Sequence, residues 1–178
     1  MTNLTIVPLS RETLKDLNRA NQPFKVTGRL KPSLRDGKWS WEEELFPHPY
    51  LKKYENDSED FFAGHLDRPD KAVYLAYAGE ECAGQLVLRE DWNGYALIED
   101  ICVAQSRRGR GIGTALIRKA REWAQSRKLS GLALETQDTN LLACRFYQRQ
   151  GFQIGGVNTL FYRNFRNPET AIFWYLLF

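Results

Sequence analysis

The sequence predicts a single α+β domain, residues 1–178, built on a mixed β-sheet, and three observations lead there. Strand-like apolar stretches dominate from Ala72 to Val103, broken by turn signals at Gly79-Glu80 and Asp91-Trp92-Asn93-Gly94. The hydrophobic period then changes from two to 3.6, first after Ile112 and again after Asn140, so helices fall between the later strands. The 178 residues are 43% hydrophobic and 26% charged, an ordinary globular balance that can bury a core without disulfides or metals.

Taken in order, Leu4, Ile6 and Pro8 alternate as a short strand, and Ser10 is placed to cap a short helix over Arg11–Leu17. From Asn21 to Asp60 the pattern is poor. Trp39, Trp41, Tyr50 and Tyr54 are strewn among Pro, Gly and acids, ending in the run Glu55–Asp60, and the segment reads as loop with short helix. A loop of that length inside a compact domain implies a binding role. Ala72–Ala78 and Cys82–Leu88 then form a hairpin, and Tyr95–Val103 is the fourth strand of this reading. Ile112, Leu116, Ala120 and Trp123 share one helical face, with Arg118, Lys119, Arg121 and Glu122 mostly outside it. Leu132–Thr136 follows as strand. In the second helix, Asn140–Gln150, Leu142 and Phe146 are four apart for the core and Gly151 ends it. Phe152–Tyr162 and Ala171–Leu177 are two further strands around an Asn167-Pro168 turn.

The charge excludes some partners. With 25 Lys+Arg against 22 Asp+Glu the net charge is +3, far below what many phosphate contacts on a nucleic acid require. Cys82, Cys102 and Cys144 lack ligand spacing and read as reduced, buried thiols, and no metal site is expected. The start of the chain lacks a signal-like core and no apolar run is long enough for a membrane span, so the expectation is a cytoplasmic protein, monomer or homodimer, without membrane or nucleic-acid partner.

The chemistry is concentrated after Val103. There the chain runs strand, Arg107-Arg108-Gly109-Arg110-Gly111-Ile112-Gly113-Thr114, helix. Glycines permit positive φ and close approach of a ligand, and the first amides of the helix favour an anion. A diphosphate is the expected ligand. The spacing is neither the G-x-x-x-x-G-K-[ST] of a P-loop nor the dinucleotide G-x-G-x-x-G.

Arg108-x-x-Gly111-x-Gly113 matches the R/Q-x-x-G-x-G/A pattern of the GNAT superfamily of N-acetyltransferases. Asn140-x-x-Ala143-x-x-x-Tyr147-x-x-x-Gly151-Phe152 resembles that superfamily's second motif, with Asn140, Ala143 and Tyr147 stacked on one helix face. A narrower resemblance runs through Ile98-Glu99, Leu134–Gln137, Gly155-Gly156, Glu169-Thr170-Ala171 and Phe173-Trp174-Tyr175. It is to the streptothricin acetyltransferases, which acetylate the β-lysine arm of a cationic antibiotic, and it covers roughly Val73 to Tyr175.

The resemblance implies a GNAT fold: a central sheet of about seven strands, splayed after the fourth, with about four helices. It implies acetyl-CoA as cosubstrate, held at Ile101, Cys102, Val103, Arg108, Gly109, Arg110, Gly111, Ile112, Gly113 and Thr114, with Asn140 on the cofactor arm and Tyr147 beside the sulfur as proton donor. The acceptor would be a cationic small-molecule amine. An alkylammonium is neutral in only about one molecule in two thousand at pH 7, so a carboxylate must attract it and take its proton. Glu99 and Asp100 interrupt an apolar strand at the right place, and strict alternation would put them on opposite faces. Glu99 is the favoured base because polyamine acetyltransferases carry a similar Glu-Asp pair; Asp100 is the alternative. Trp92, with Trp41, Tyr95 and the acids of the 42–60 region, would line the acceptor side. Cys102 reads as packing, and His48 and His65 carry no expected role. Two other readings fit the same motifs: an acetyltransferase for a polyamine or peptide amine, and a noncatalytic acetyl-CoA-binding module.

Overall fold

The computed structural model describes residues 3–165 and 167–178. Among them lie nine strands, β1 (Leu4–Pro8), β2 (Phe24–Arg35), β3 (Lys38–Lys52), β4 (Lys71–Ala78), β5 (Glu81–Glu90), β6 (Ala96–Val103), β7 (Gly131–Gln137), β8 (Gln153–Asn158) and β9 (Ala171–Leu177). Three α-helices accompany them: α1 (Glu59–Ala63), α2 (Ile112–Ser126) and α3 (Leu141–Arg149). The chain divides into two compact units, one comprising the residues up to Phe24 with Lys53–Leu132, the other Lys25–Lys52 with Ala133–Phe178.

In the first unit β1, β4, β5 and β6 are consecutive antiparallel neighbours. Along β5, Gly84, Leu86 and Leu88 face α2, whose predicted stripe of Ile112, Leu116, Ala120 and Trp123 is buried. Gln85, Val87 and Arg89 point the other way. There Val87 packs with Val73 and Phe62, flanked by Leu9, Leu17 and Phe61, so α1 and the N-terminal turn cover this second face.

The second unit holds the order β7-β9-β8 and a separate two-stranded ribbon of β2 and β3. Trp174, fully buried on β9, donates its indole N–H to Thr136 on β7 at 3.0 Å. Leu30 on β2 donates its amide to the Asp138 carbonyl at 2.8 Å, and Lys52 at the end of β3 pairs with Glu169 at 2.6 Å. Glu169, singled out in the sequence by its Glu-Thr-Ala context, also accepts the Thr139 hydroxyl.

The expected class is the observed one, with several corrections to its elements. Residues 24–52, expected as loop and short helix, are the β2–β3 ribbon. Its outer strand is exposed along nearly its whole length, so no apolar alternation marks it. The helix expected over Arg11–Leu17 is a single 3-10 turn at Leu14–Asp16, after which Asn18 takes φ 61° and stops it. Because of the ribbon, the predicted fourth strand is β6. On α3 the core face is Leu141, Cys144 and Tyr147; Leu142, expected inside, is exposed. The strand expected over Phe152–Tyr162 stops at Asn158, whose side chain accepts the Leu160 amide at 2.9 Å and turns the chain. Cys102 is half-buried rather than buried.

Candidate active site

The pairing of β5 with β6 contains an irregularity that decides where the two acids point. Val87 opposes Asp100 and Leu88 opposes Ile98, which leaves Glu99 as the extra residue of a bulge. Strict alternation fails there. Glu99 meets Arg89 and Asp100 meets Gln85, and Gln85, Val87 and Arg89 lie on one face of β5. Both carboxylates therefore stand on the α1 face, which corrects the expectation of opposite faces.

Their surroundings differ. Glu99 is held from both oxygens: Arg89 Nε donates to Oε1 at 3.1 Å, and His65 Nε2 lies 2.9 Å from Oε2. Arg89 also pairs with Asp91 at 2.6 Å. The donors to Asp100 among the described residues are uncharged: the Gln85 amide at 2.8 Å, the Cys102 thiol at 3.7 Å and the Ile101 main-chain amide. Gln85 is buried and its carbonyl oxygen accepts the Asn18 amide at 3.0 Å, so the group facing Asp100 is fixed in orientation. Burial pushes the Asp100 carboxyl up to about 6 against the help of those hydrogen bonds. Asp57 is also pushed above its ordinary value, by desolvation and then by the charge of Glu99. Its main-chain oxygen accepts from the Asn18 side chain at 2.9 Å. Burial and then the charge of Asp100 raise the Cys102 thiol, so it is protonated and no nucleophile. Trp92 follows Asp91 in the β5–β6 turn and is 93% exposed.

At the far end of β6, Ile101, Cys102 and Val103 pair with Leu86, Gln85 and Gly84, and the chain then enters the glycine-rich turn. Gly109 and Gly111 take φ 75° and 82°, and Gly111 is the residue that caps α2. A Cβ at either would meet no atom within 4 Å, so the glycines serve the backbone path and leave open space beside it. With Ile112, Gly113 and Thr114 at the first turn of a fifteen-residue helix, this cradle fits a pyrophosphate. The Arg108 side chain is engaged elsewhere. Its guanidinium donates to the carbonyls of Val103, Pro23 and Gln22, each at 3.0 Å, and Arg107 pairs with Glu81. The turn's arginines thus include two that brace protein.

In the second unit Asn140 is the N-cap of α3, its side-chain oxygen accepting the Ala143 amide at 3.2 Å. Tyr147 is buried on the same helix, its ring 5.5 Å from that of Phe152 and 6.3 Å from that of Trp174.

Within the first unit, then, Glu99 and Asp100 are together on one face, and the residues from Ile101 to Thr114 form one continuous path. His65, Gln85, Arg89 and Asn18 complete the carboxylate cluster without having been singled out. No spacing rule links them, since they come from three separate stretches of the chain and only Gln85 and Arg89 share a strand.

The acetyltransferase (GNAT) family matches residues 35–152. Streptothricin acetyltransferase A of Bacillus subtilis (strain 168) is 46% identical over 174 residues, 97% of this chain and 99% of that one. A streptothricin acetyltransferase of Escherichia coli is 38% identical over 71% of this chain and 70% of its own. Among solved structures, a presumed streptothricin acetyltransferase of Bacillus anthracis str. Ames in complex with acetyl coenzyme A superposes with a TM-score of 0.90 and 34% identity, covering 99% of this chain and 98% of that chain. Nourseothricin acetyltransferase superposes at 0.82 with 24% identity over 98% of each chain, a likeness of fold.

Proposed function

The chain belongs to the GNAT acetyltransferase family, and from that premise we propose that it transfers the acetyl group of acetyl-CoA to an amine on the β-lysine arm of streptothricin. The observation that carries the acceptor is the 46% identity to a streptothricin acetyltransferase over nearly the full length of both chains. The carboxylates Glu99 and Asp100 on one face of the sheet support it, because a cationic amine needs an anion to draw it in and a base to make it nucleophilic.

Acetyl-CoA supplies an activated acyl group as a thioester. The cradle of Gly109, Arg110, Gly111, Ile112, Gly113 and Thr114 offers backbone amides to its pyrophosphate, with the Arg108 amide beside them. Strand amide donors around Cys102 and Val103 polarise the thioester carbonyl and stabilise negative charge on its oxygen. A carboxylate of the Glu99–Asp100 pair removes the ammonium proton, Trp92 offers an aromatic surface to the cationic chain, Asn140 steadies the cofactor arm, and Tyr147 delivers a proton to the departing thiolate. The reaction needs no metal and no acyl-enzyme.

Mass spectrometry of streptothricin incubated with the protein and acetyl-CoA tests the reading. The expected product carries one added acetyl group on the β-lysine arm. Turnover of spermidine or an N-terminal peptide with none of streptothricin would assign a different acceptor.

A further inference from the structure

Both ring nitrogens of His65 face oxygen atoms, which constrains where its protons sit. Its side chain is 1% exposed, at the end of α1. Nδ1 is 2.8 Å from the Phe61 carbonyl oxygen, which can only accept, so Nδ1 carries a hydrogen. A neutral ring would then present the bare lone pair of Nε2 to Glu99 Oε2, 2.9 Å away and also an acceptor. That contact requires a proton between the two atoms. On the Glu99 side, Arg89 donates to the other carboxylate oxygen and favours the anion. An imidazolium facing a carboxylate satisfies all of these contacts.

The charges around this pair balance such a state. Glu99 stands between His65 and Arg89, with Asp91 on the far side of Arg89. Asp57 faces the pair from the segment before α1 and is within electrostatic reach of both His65 and Glu99. On the other side, Asp67, Arg68 and Lys71 line the groove that His65 borders, and Arg68 is already paired with Asp70. A buried imidazolium is unfavourable without an anionic partner, and Glu99 is in hydrogen-bond contact.

We propose that His65 is a positioning residue, an imidazolium whose Nε2–H holds Glu99 as an anion clamped from both oxygens, so that the acceptor's proton goes to Asp100. This rests on the amine-acetyltransferase reading of the site. In the transfer the N–H bond of the ammonium breaks, its electron pair stays on nitrogen, and the proton bonds to an Asp100 oxygen. Glu99 draws the cation in and gains no proton. Asp100, whose side-chain donors are uncharged, is the carboxylate with proton affinity to spare.

The test begins with the free protein, labelled with ¹⁵N in its histidine rings and observed by long-range ¹H–¹⁵N correlation. There are two histidines, and His48→Gln assigns the signals. At pH 7 both ring nitrogens of His65 should carry protons. In Glu99→Gln only Nδ1 should, because the glutamine amide can donate to Nε2. A neutral His65 in the wild type, or one still doubly protonated in Glu99→Gln, would overturn the proposal. A kinetic readout accompanies it: His65→Gln should raise the acceptor KM about tenfold while kcat keeps its acidic limb. Loss of that limb would make His65 the titrating base and refute the positioning role. The NMR arm uses no acceptor, so its failure is distinguishable from failure to acetylate streptothricin.

Discussion

Glu99 and Asp100 are neighbours in the chain, yet both point to the α1 face of the sheet, because Glu99 is the extra residue where β5 and β6 fall out of register. A regular strand would show one acid to each face and leave the other buried against α2 without a partner. The bulge removes that cost and sets two unlike carboxylates side by side, one clamped between His65 and Arg89 and one among uncharged donors.

Asp100→Asn therefore tests the base directly. The rate at neutral pH should fall by about 10²- to 10⁴-fold. In the wild type kcat/KM should rise with pH through the region of about 6, where Asp100 releases its proton, and the variant should lack that limb. Stability should move the opposite way. The folded state binds this proton more tightly than the unfolded chain, whose ordinary value is 3.8, so the stabilisation is complete below that value and lost as pH rises through about 6. The variant should melt higher than the wild type at pH 7 and no higher at pH 3, by calorimetry. A wild-type profile without an acidic limb near 6 would remove Asp100 from the role.

Tyr147→Phe separates proton delivery from packing. The ring contacts with Phe152 and Trp174 survive the change, so stability should alter by no more than about 1 kcal/mol. The loss should appear in kcat, by about 10²-fold, with the acceptor KM little changed. Steady-state kinetics on a variant of wild-type melting temperature decides; full kcat would leave Tyr147 a core residue.

Much of this was legible in the sequence where period and punctuation agree. The α2 stripe and the Gly109–Gly113 turn were read from residue spacing, and both are present. The ribbon was missed although Asp36-Gly37 is a strong hairpin signal; both residues take positive φ, 50° and 72°, in a two-residue turn. Exposed strands carry no alternation, and the aromatic residues of β3 obscured the turn. The carboxylate cluster was illegible for a different reason. A bulge is invisible in one strand's sequence, since it is a property of the pairing. His65 comes within 2.9 Å of Glu99 only because α1 packs over β5.

Gly111→Val addresses the cradle. At φ 82° a β-branched residue is strained by about 1–2 kcal/mol, and its side chain would occupy the space beside the α2 amides. Acetyl-CoA affinity by calorimetry should drop by at least about tenfold, with acceptor binding less affected. An unchanged affinity in a folded variant would place the pyrophosphate elsewhere.

Arg108→Lys distinguishes bracing from charge attraction. The sequence presented Arg108 as part of a positive turn for a polyanion, and a lysine would preserve that charge. In the structure the guanidinium fork satisfies three carbonyls, those of Val103, Pro23 and Gln22, tying the N-terminal segment to the end of β6. Its proton affinity is lowered by burial, as expected of a group turned into the protein. An ammonium is a compact donor without the planar fork, so it cannot reach all three acceptors in this geometry. The lysine variant should lose about 1–3 kcal/mol of stability in urea unfolding. Its acetyl-CoA affinity, measured well below the unfolding midpoint, should change less than about threefold. The reverse result, intact stability with a large loss of cofactor affinity, would return Arg108 to the role of an anion-binding side chain.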